Sequence, residues 1–202
     1  MTAHIKPTML IVFTLLTLFL QPMTLQAQEP WSFNNIKNDW PGFLLGFVGG
    51  LAAHELGHLV IASCKGYDAE FDGISIVYPG VELEDGDHLQ LAAAGLQTQW
   101  LVSELVFLHH KDKPVMGNGA AGLILSQVGT AAAYLTVLKD HKDGDIEGMS
   151  QATGLSNNEL ALAVAVPALL DTWRLLGKDV PSWVPILSLG SKGLMLVKVW
   201  TY

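Results

Sequence analysis

His54-Glu55-Leu56-Gly57-His58 sets two imidazoles four residues apart with a carboxylate beside the first. On a helix that spacing puts both rings on one face, where they can share a zinc ion while Glu55 draws the proton from an attacking water. This is the pattern of a metallohydrolase. It lies within an apolar run, Gly42 to Ala62, in which Glu55 is the only acid and no Lys or Arg occurs. A carboxylate near a bilayer centre costs about 2.5 to 3.5 kcal/mol on insertion scales and is seldom kept without a use. The setting points to hydrolysis inside a membrane.

A catalytic zinc takes three protein ligands and keeps a fourth position for water, so a third ligand must come from elsewhere. Asp171 is the first candidate, an acid in an apolar helix just past Pro167, a residue that frees backbone and bends a helix. The competing role for Asp171 is an ion pair with Arg174, three residues on. Glu104 is the second candidate, with structural hydrogen bonding as its competing role. His88, His109, His110 and His141 fall at segment ends or in loops and read as solvated. An oxyanion would need donors besides the metal, and Gln97 or Gln99 could provide one.

These residues need a bundle of helices around them, and the composition provides for one. Half of the 202 residues are apolar, 15% are charged and the mean hydropathy is positive, which suits one membrane-embedded domain better than a soluble one. A formal charge of -8 offers no basic patch, which excludes nucleic acid as a partner. The single cysteine, Cys64, excludes a disulfide framework and reads as a small residue packed at a helix end. Residues 1–27 read as a signal peptide or signal anchor: Lys6, an apolar core from Met9 to Leu20, and a small-residue cleavage site ending at Ala27. Residues 28–202 form the domain.

Asp39-Trp40-Pro41-Gly42 opens the motif-bearing helix, which runs to about Ser63, with Trp31 and Trp40 suited to a membrane interface. Its glycines allow close helix approach. Between Glu70 and Tyr78, alternation with β-branched residues predicts a short strand or hairpin, whose edge could hold an extended substrate by β-addition. A second apolar stretch, Leu89 to Leu108, carries Gln90, Gln97 and Glu104 at every seventh residue, a polar line facing the bundle interior. Ala120 to Leu138 reads as a third helix. Ser156 and Glu159 form a capping box opening a fourth, which ends near Leu176 before Gly177. Trp183 to Trp200 either spans or lies in the interface.

The run from His54 to Ala62, Lys65-Gly66-Tyr67, and Phe71 to Gly80 resembles the site-2 protease family of intramembrane zinc metalloproteases. Ala94-Gly95-Leu96-Gln97-Thr98-Gln99 is similar to that family's A-G-P-x-x-N motif, with Leu96 for Pro and Gln99 for Asn. Pro167 to Leu176 is similar to its P-x-x-L-D-G-G-R segment, with Thr172-Trp173 in place of the two glycines. The resemblance implies an all-α polytopic membrane protein of about four to five membrane helices, with a short β-hairpin after the HExxH helix. It also implies that Asp171 is the third zinc ligand and that its helix runs parallel to the motif helix. The expectation is a multi-pass zinc metalloprotease of a bacterial inner membrane, with Glu55 catalytic and Zn2+ held by His54, His58 and Asp171. Its partners would be the bilayer and a membrane protein or peptide substrate. A catalytically silent membrane scaffold is the alternative, and a soluble-facing zincin on a signal anchor is a third reading.

Overall fold

A computed structural model describes residues 29–71, 76–113 and 115–202; the expected signal segment, residues 1–27, lies outside the described residues. The chain is mostly helical, with one two-stranded sheet among the described residues. Asp39 caps the first helix, α1 (Trp40–Lys65), by accepting from the Gly42 amide, and Pro41 occupies its first turn. Gly66 ends it at φ 78°, a left-handed conformation that glycine adopts without a Cβ penalty. The hairpin follows: β1 (Glu70–Phe71) pairs antiparallel with β2 (Ile76–Val77), Phe71 opposite Ile76. Then come α2 (Asp85–His110), α3 (Asn118–Thr136), the short α4 (Asp145–Thr153), α5 (Asn157–Leu176) and α6 (Trp183–Trp200). The Ser156–Glu159 capping box is formed, and α6 is one continuous helix through Gly190.

Small residues fix the packing of α1. A Cβ at Gly46 would lie 1.9 Å from the Gly119 carbonyl oxygen, and one at Gly50 would lie 2.0 Å from Ser126 Oγ. These contacts advance together along both chains, so α1 and α3 run in the same direction. Against α2 the order reverses, with Gly57 beside Ala94 and Gly50 beside Gln99. Helix α5 lies on α3 antiparallel, joined by Lys139 to Asn158 at one end and Gln127 to Asp171 further along. The Asp171 helix therefore runs opposite to the motif helix, not parallel to it as the family resemblance implies.

Two apolar clusters stack along the bundle. One gathers Leu96, Trp100, Ile146 and Val164; the other gathers Trp31, Phe107, Ile124 and Leu175. Trp31 is thus a core residue, 2% exposed and donating to Asn118 Oδ1, whereas Trp40 is exposed. Indole burial with a satisfied N–H outweighed the interfacial role expected from its type. Cys64, expected to pack, is exposed. Between the clusters lies a polar layer. Arg174 and Lys192 each pair with both Glu104 and Asp171, and Ser103, Ser188 and Gln127 donate to Asp171. Two cations face two carboxylates, so the layer is charge-balanced, as buried ionic groups must be.

Among the described residues two helices, α1 and α2, are long and apolar enough to cross a membrane. They differ in burial: the most apolar window of α1 is 28% buried and that of α2 is 67% buried. Helix α2 is therefore the central post and α1 an outer one.

Lys192→Met leaves a carboxylate of this layer short of a cation and is expected to destabilise the fold by about 3 to 5 kcal/mol. Loss of the folded fraction during thermal unfolding in detergent measures it.

Candidate metal centre

The α1 face carrying His54 and His58 is pressed against α2 because residues 57 and 95 have no side chains. A Cβ on Gly57 would meet Thr98 Oγ1 at 2.4 Å. One on Gly95 would sit 2.4 Å from His58 Nε2 and 2.5 Å from His54 Nε2. Gly95 therefore forms the floor of the site. Both imidazoles are buried, with their Nε2 atoms 3.2 Å apart.

The outer nitrogens are fixed from behind. His58 Nδ1 donates to the Leu91 carbonyl at 2.8 Å, an oxygen that can only accept. His54 Nδ1 faces Gln99 Oε1 at 3.1 Å. The Gln99 amide orientation is set by its NH2, which donates to Gly50 O, Ser126 Oγ and Thr130 Oγ1. Those two hydroxyls give their own protons to Leu123 O and Ser126 O. Gln99 thus presents its oxygen to His54, and both rings carry their proton on Nδ1. Each ring therefore turns its Nε2 towards Asp145.

Asp145 closes the third side. Its Oδ2 is 2.9 Å from His54 Nε2 and its Oδ1 is 3.3 Å from His58 Nε2. Tyr134 donates from its hydroxyl to Asp145 Oδ2 at 2.7 Å. The ligand atoms of His54, His58 and Asp145 all lie within 4.8 Å of one another. Three such groups facing one another across so small a space could hold a metal ion, and two imidazoles with one carboxylate are a ligand set that suits zinc with an open fourth position.

Asp171 does not belong to this group. It is fully buried in the polar layer, where Arg174 and Ser188 bond one oxygen and Lys192, Gln127 and Ser103 bond the other. These partners, Arg174 and Lys192 among them, take up its lone pairs, and its helix packs on α3, α4 and α6. The acid that the fold brings to the two histidines is Asp145 instead. The ion pair with Arg174 that its spacing allowed is the bond that forms. Glu104 is held in the same layer by Arg174 and Lys192.

The oxyanion expectation also changes. Gln99 spends its amide on three acceptors behind His54, and Gln97 accepts from Trp200 Nε1 on the far side of α2. The polar group beside the reactive atoms is Tyr134. A cavity of about 320 Å3 opens there, with Glu55, His54, His58, Tyr134 and Asp145 among its walls. His141, read from the sequence as solvated, also lines this cavity. Beyond His58 and Asp145 lies a second cavity of about 240 Å3, bounded by Tyr78, His88 and Glu147. Ile76 of the hairpin borders both.

Nothing in the sequence distinguished Asp145 from its neighbours Asp140 and Asp143. The usable signal was Gly144, which caps the start of α4, followed at once by an acid in its first turn. Comparison with known proteins found no matching family model, no matching curated protein and no matching solved structure.

Asp145→Ala is expected to abolish tight zinc retention, while Asp171→Ala in the surviving folded fraction retains zinc. Metal analysis after gel filtration separates the two. Tyr134→Phe and Gln99→Leu, which remove only the supports of Asp145 and His54, are expected to weaken zinc binding by about 10- to 100-fold in chelator competition.

Proposed function

We propose that this chain is a zinc metalloprotease embedded in a membrane, which hydrolyses peptide bonds in or near transmembrane segments of other proteins. The observation that carries the reading is the convergence of His54 Nε2, His58 Nε2 and the Asp145 carboxylate, with Glu55 facing the same cavity. Zinc held there would act as a Lewis acid that acidifies a water and polarises a carbonyl.

Glu55 takes the proton of the attacking water and delivers it to the leaving amine. Leu91 and Gln99 keep both imidazoles in the tautomer that leaves Nε2 free. Tyr134 holds Asp145 against them. Ile76 and Val77 border the cavities, and their strand can pair with an extended segment of substrate, which matters because a helical peptide bond is shielded by its own hydrogen bonds. The likeness of His54 to Gly80 to the site-2 protease pattern supports the same chemistry, with Asp145 in place of Asp171 as the acid ligand.

The membrane part of the reading rests on an inside-out distribution of polarity. Leu45 is 76% exposed and Leu44, Val48, Leu56 and Val60 lie bare along α1. Leu169 on α5 is 66% exposed, and Ile186 and Leu194 on α6 are 70% and 71% exposed. Meanwhile Glu104, Asp171 and Lys192 are buried. Apolar surface of this extent marks a lipid or protein contact rather than water, and charges inside with apolar side chains outside is the arrangement a bilayer enforces. We place α1 and α2 across the membrane with the remaining helices packed on them in a multi-pass bundle.

In lipid vesicles loaded with zinc, cleavage of a transmembrane reporter is expected to fall at least about 100-fold in Glu55→Gln, with zinc content unchanged. Full cleavage by that variant would remove Glu55 from the chemistry, and an unchanged biological output without any cleavage would favour a scaffold.

A further inference from the structure

We propose that the 320 Å3 cavity is a specificity pocket that seats a bulky apolar side chain, aromatic or long aliphatic, of the residue beside the bond to be cut. The proposal rests on the metalloprotease reading and adds its substrate preference.

The pocket follows from how α1 and α3 separate. At Gly46 and Gly50 the two helices touch through backbone and a serine hydroxyl. Three residues past Ser126, at Gly129, a Cβ would meet the Phe47 ring at 3.0 Å and 3.4 Å. From that point on, residues of both helices line the cavity. Away from the histidines, its walls are Phe47 and Leu51 from α1, Gly129 and Ala133 from α3, Leu138, and Ile76 of the hairpin. The small residues lie on one helix and the large ones on the other, which leaves room at the centre.

The polar lining is His54, Glu55, His58, Tyr134 and Asp145 at the candidate metal centre, with His141 near Leu138, and the Thr130 hydroxyl is taken up by Ser126 O and Gln99. A side chain seated against Phe47, Leu51 and Ala133 displaces none of these hydrogen bonds, while its own backbone lies against the wall that carries Glu55. A volume of about 320 Å3 is at the lower range of small-ligand pockets, which suits one large side chain. Gly129 sets the width, because any side chain there would push on Phe47. Leu51 sets the depth and is half-exposed, so trimming it costs the fold little.

The test uses the zinc-loaded full chain in detergent and a series of amino-acid hydroxamates with methyl, isobutyl, benzyl and naphthylmethyl side chains, with affinity measured by calorimetry. The benzyl compound is expected to bind at least about tenfold more tightly than the methyl one, the return on burying a phenyl ring. Gly129→Leu is expected to erase that advantage while leaving the methyl compound unaffected, and Leu51→Ala to shift the optimum to naphthylmethyl. A wild-type protein that binds zinc and all four compounds equally overturns the pocket but not the metal centre. So does an unchanged preference order in Leu51→Ala, the variant that tests the pocket if Gly129→Leu does not fold. Failure of the wild-type protein to retain zinc overturns the metalloprotease reading, and the pocket with it.

Discussion

The structure turns on three side chains held face to face. His54 Nε2 and His58 Nε2 stand 3.2 Å apart with Asp145 against both, and each group is held from behind. Leu91 and Gln99 hold the rings, and Tyr134 holds the carboxylate. Every one of these supports sits on α2 or α3, so the packing of those helices on α1 decides whether the site exists. Gly57 and Gly95 permit that packing, since a Cβ at either position would occupy space already filled by Thr98 or by the imidazoles.

A second polar centre lies deeper in the bundle and has a different purpose. Arg174 and Lys192 against Glu104 and Asp171 form a closed, charge-balanced set, with Arg174 also stacked on the Phe107 ring at 3.7 Å. Such a layer is a poor source of net stability because desolvation offsets most of its attraction, but it tolerates only one relative placement of α2, α5 and α6. It thereby fixes the register of the helices that carry Gln99 and that lie beneath Asp145. The candidate metal centre opens on a cavity, which the ionic layer does not line.

Much of the local structure was legible in the chain. The helix start at Asp39-Trp40-Pro41, the Ser156–Glu159 capping box, the Gly177 end and the hairpin near Ile76 formed where spacing and residue type placed them. Those are short-range rules, in which a hydrogen bond spans three or four residues. The inward polar line was also legible, as Gln97 and Glu104 are buried. Trp31 was misread, because residue type alone does not say whether an indole at a segment boundary meets lipid or meets an asparagine such as Asn118.

The sequence by itself determined two of the three donors, since His54 and His58 are joined by one turn of helix and need no other part of the chain to share a face. It also determined that Asp171 would need a partner, and it named Arg174 as one. Only the tertiary structure decided which acid faces the histidines. That choice depends on α5 packing against α3 rather than α1, and on the Gly144 turn bringing Asp145 over the end of α1, 87 positions along the chain from His58. Contacts between such distant segments are set by helix direction and by which glycines allow close approach, and neither is written in the spacing of a motif.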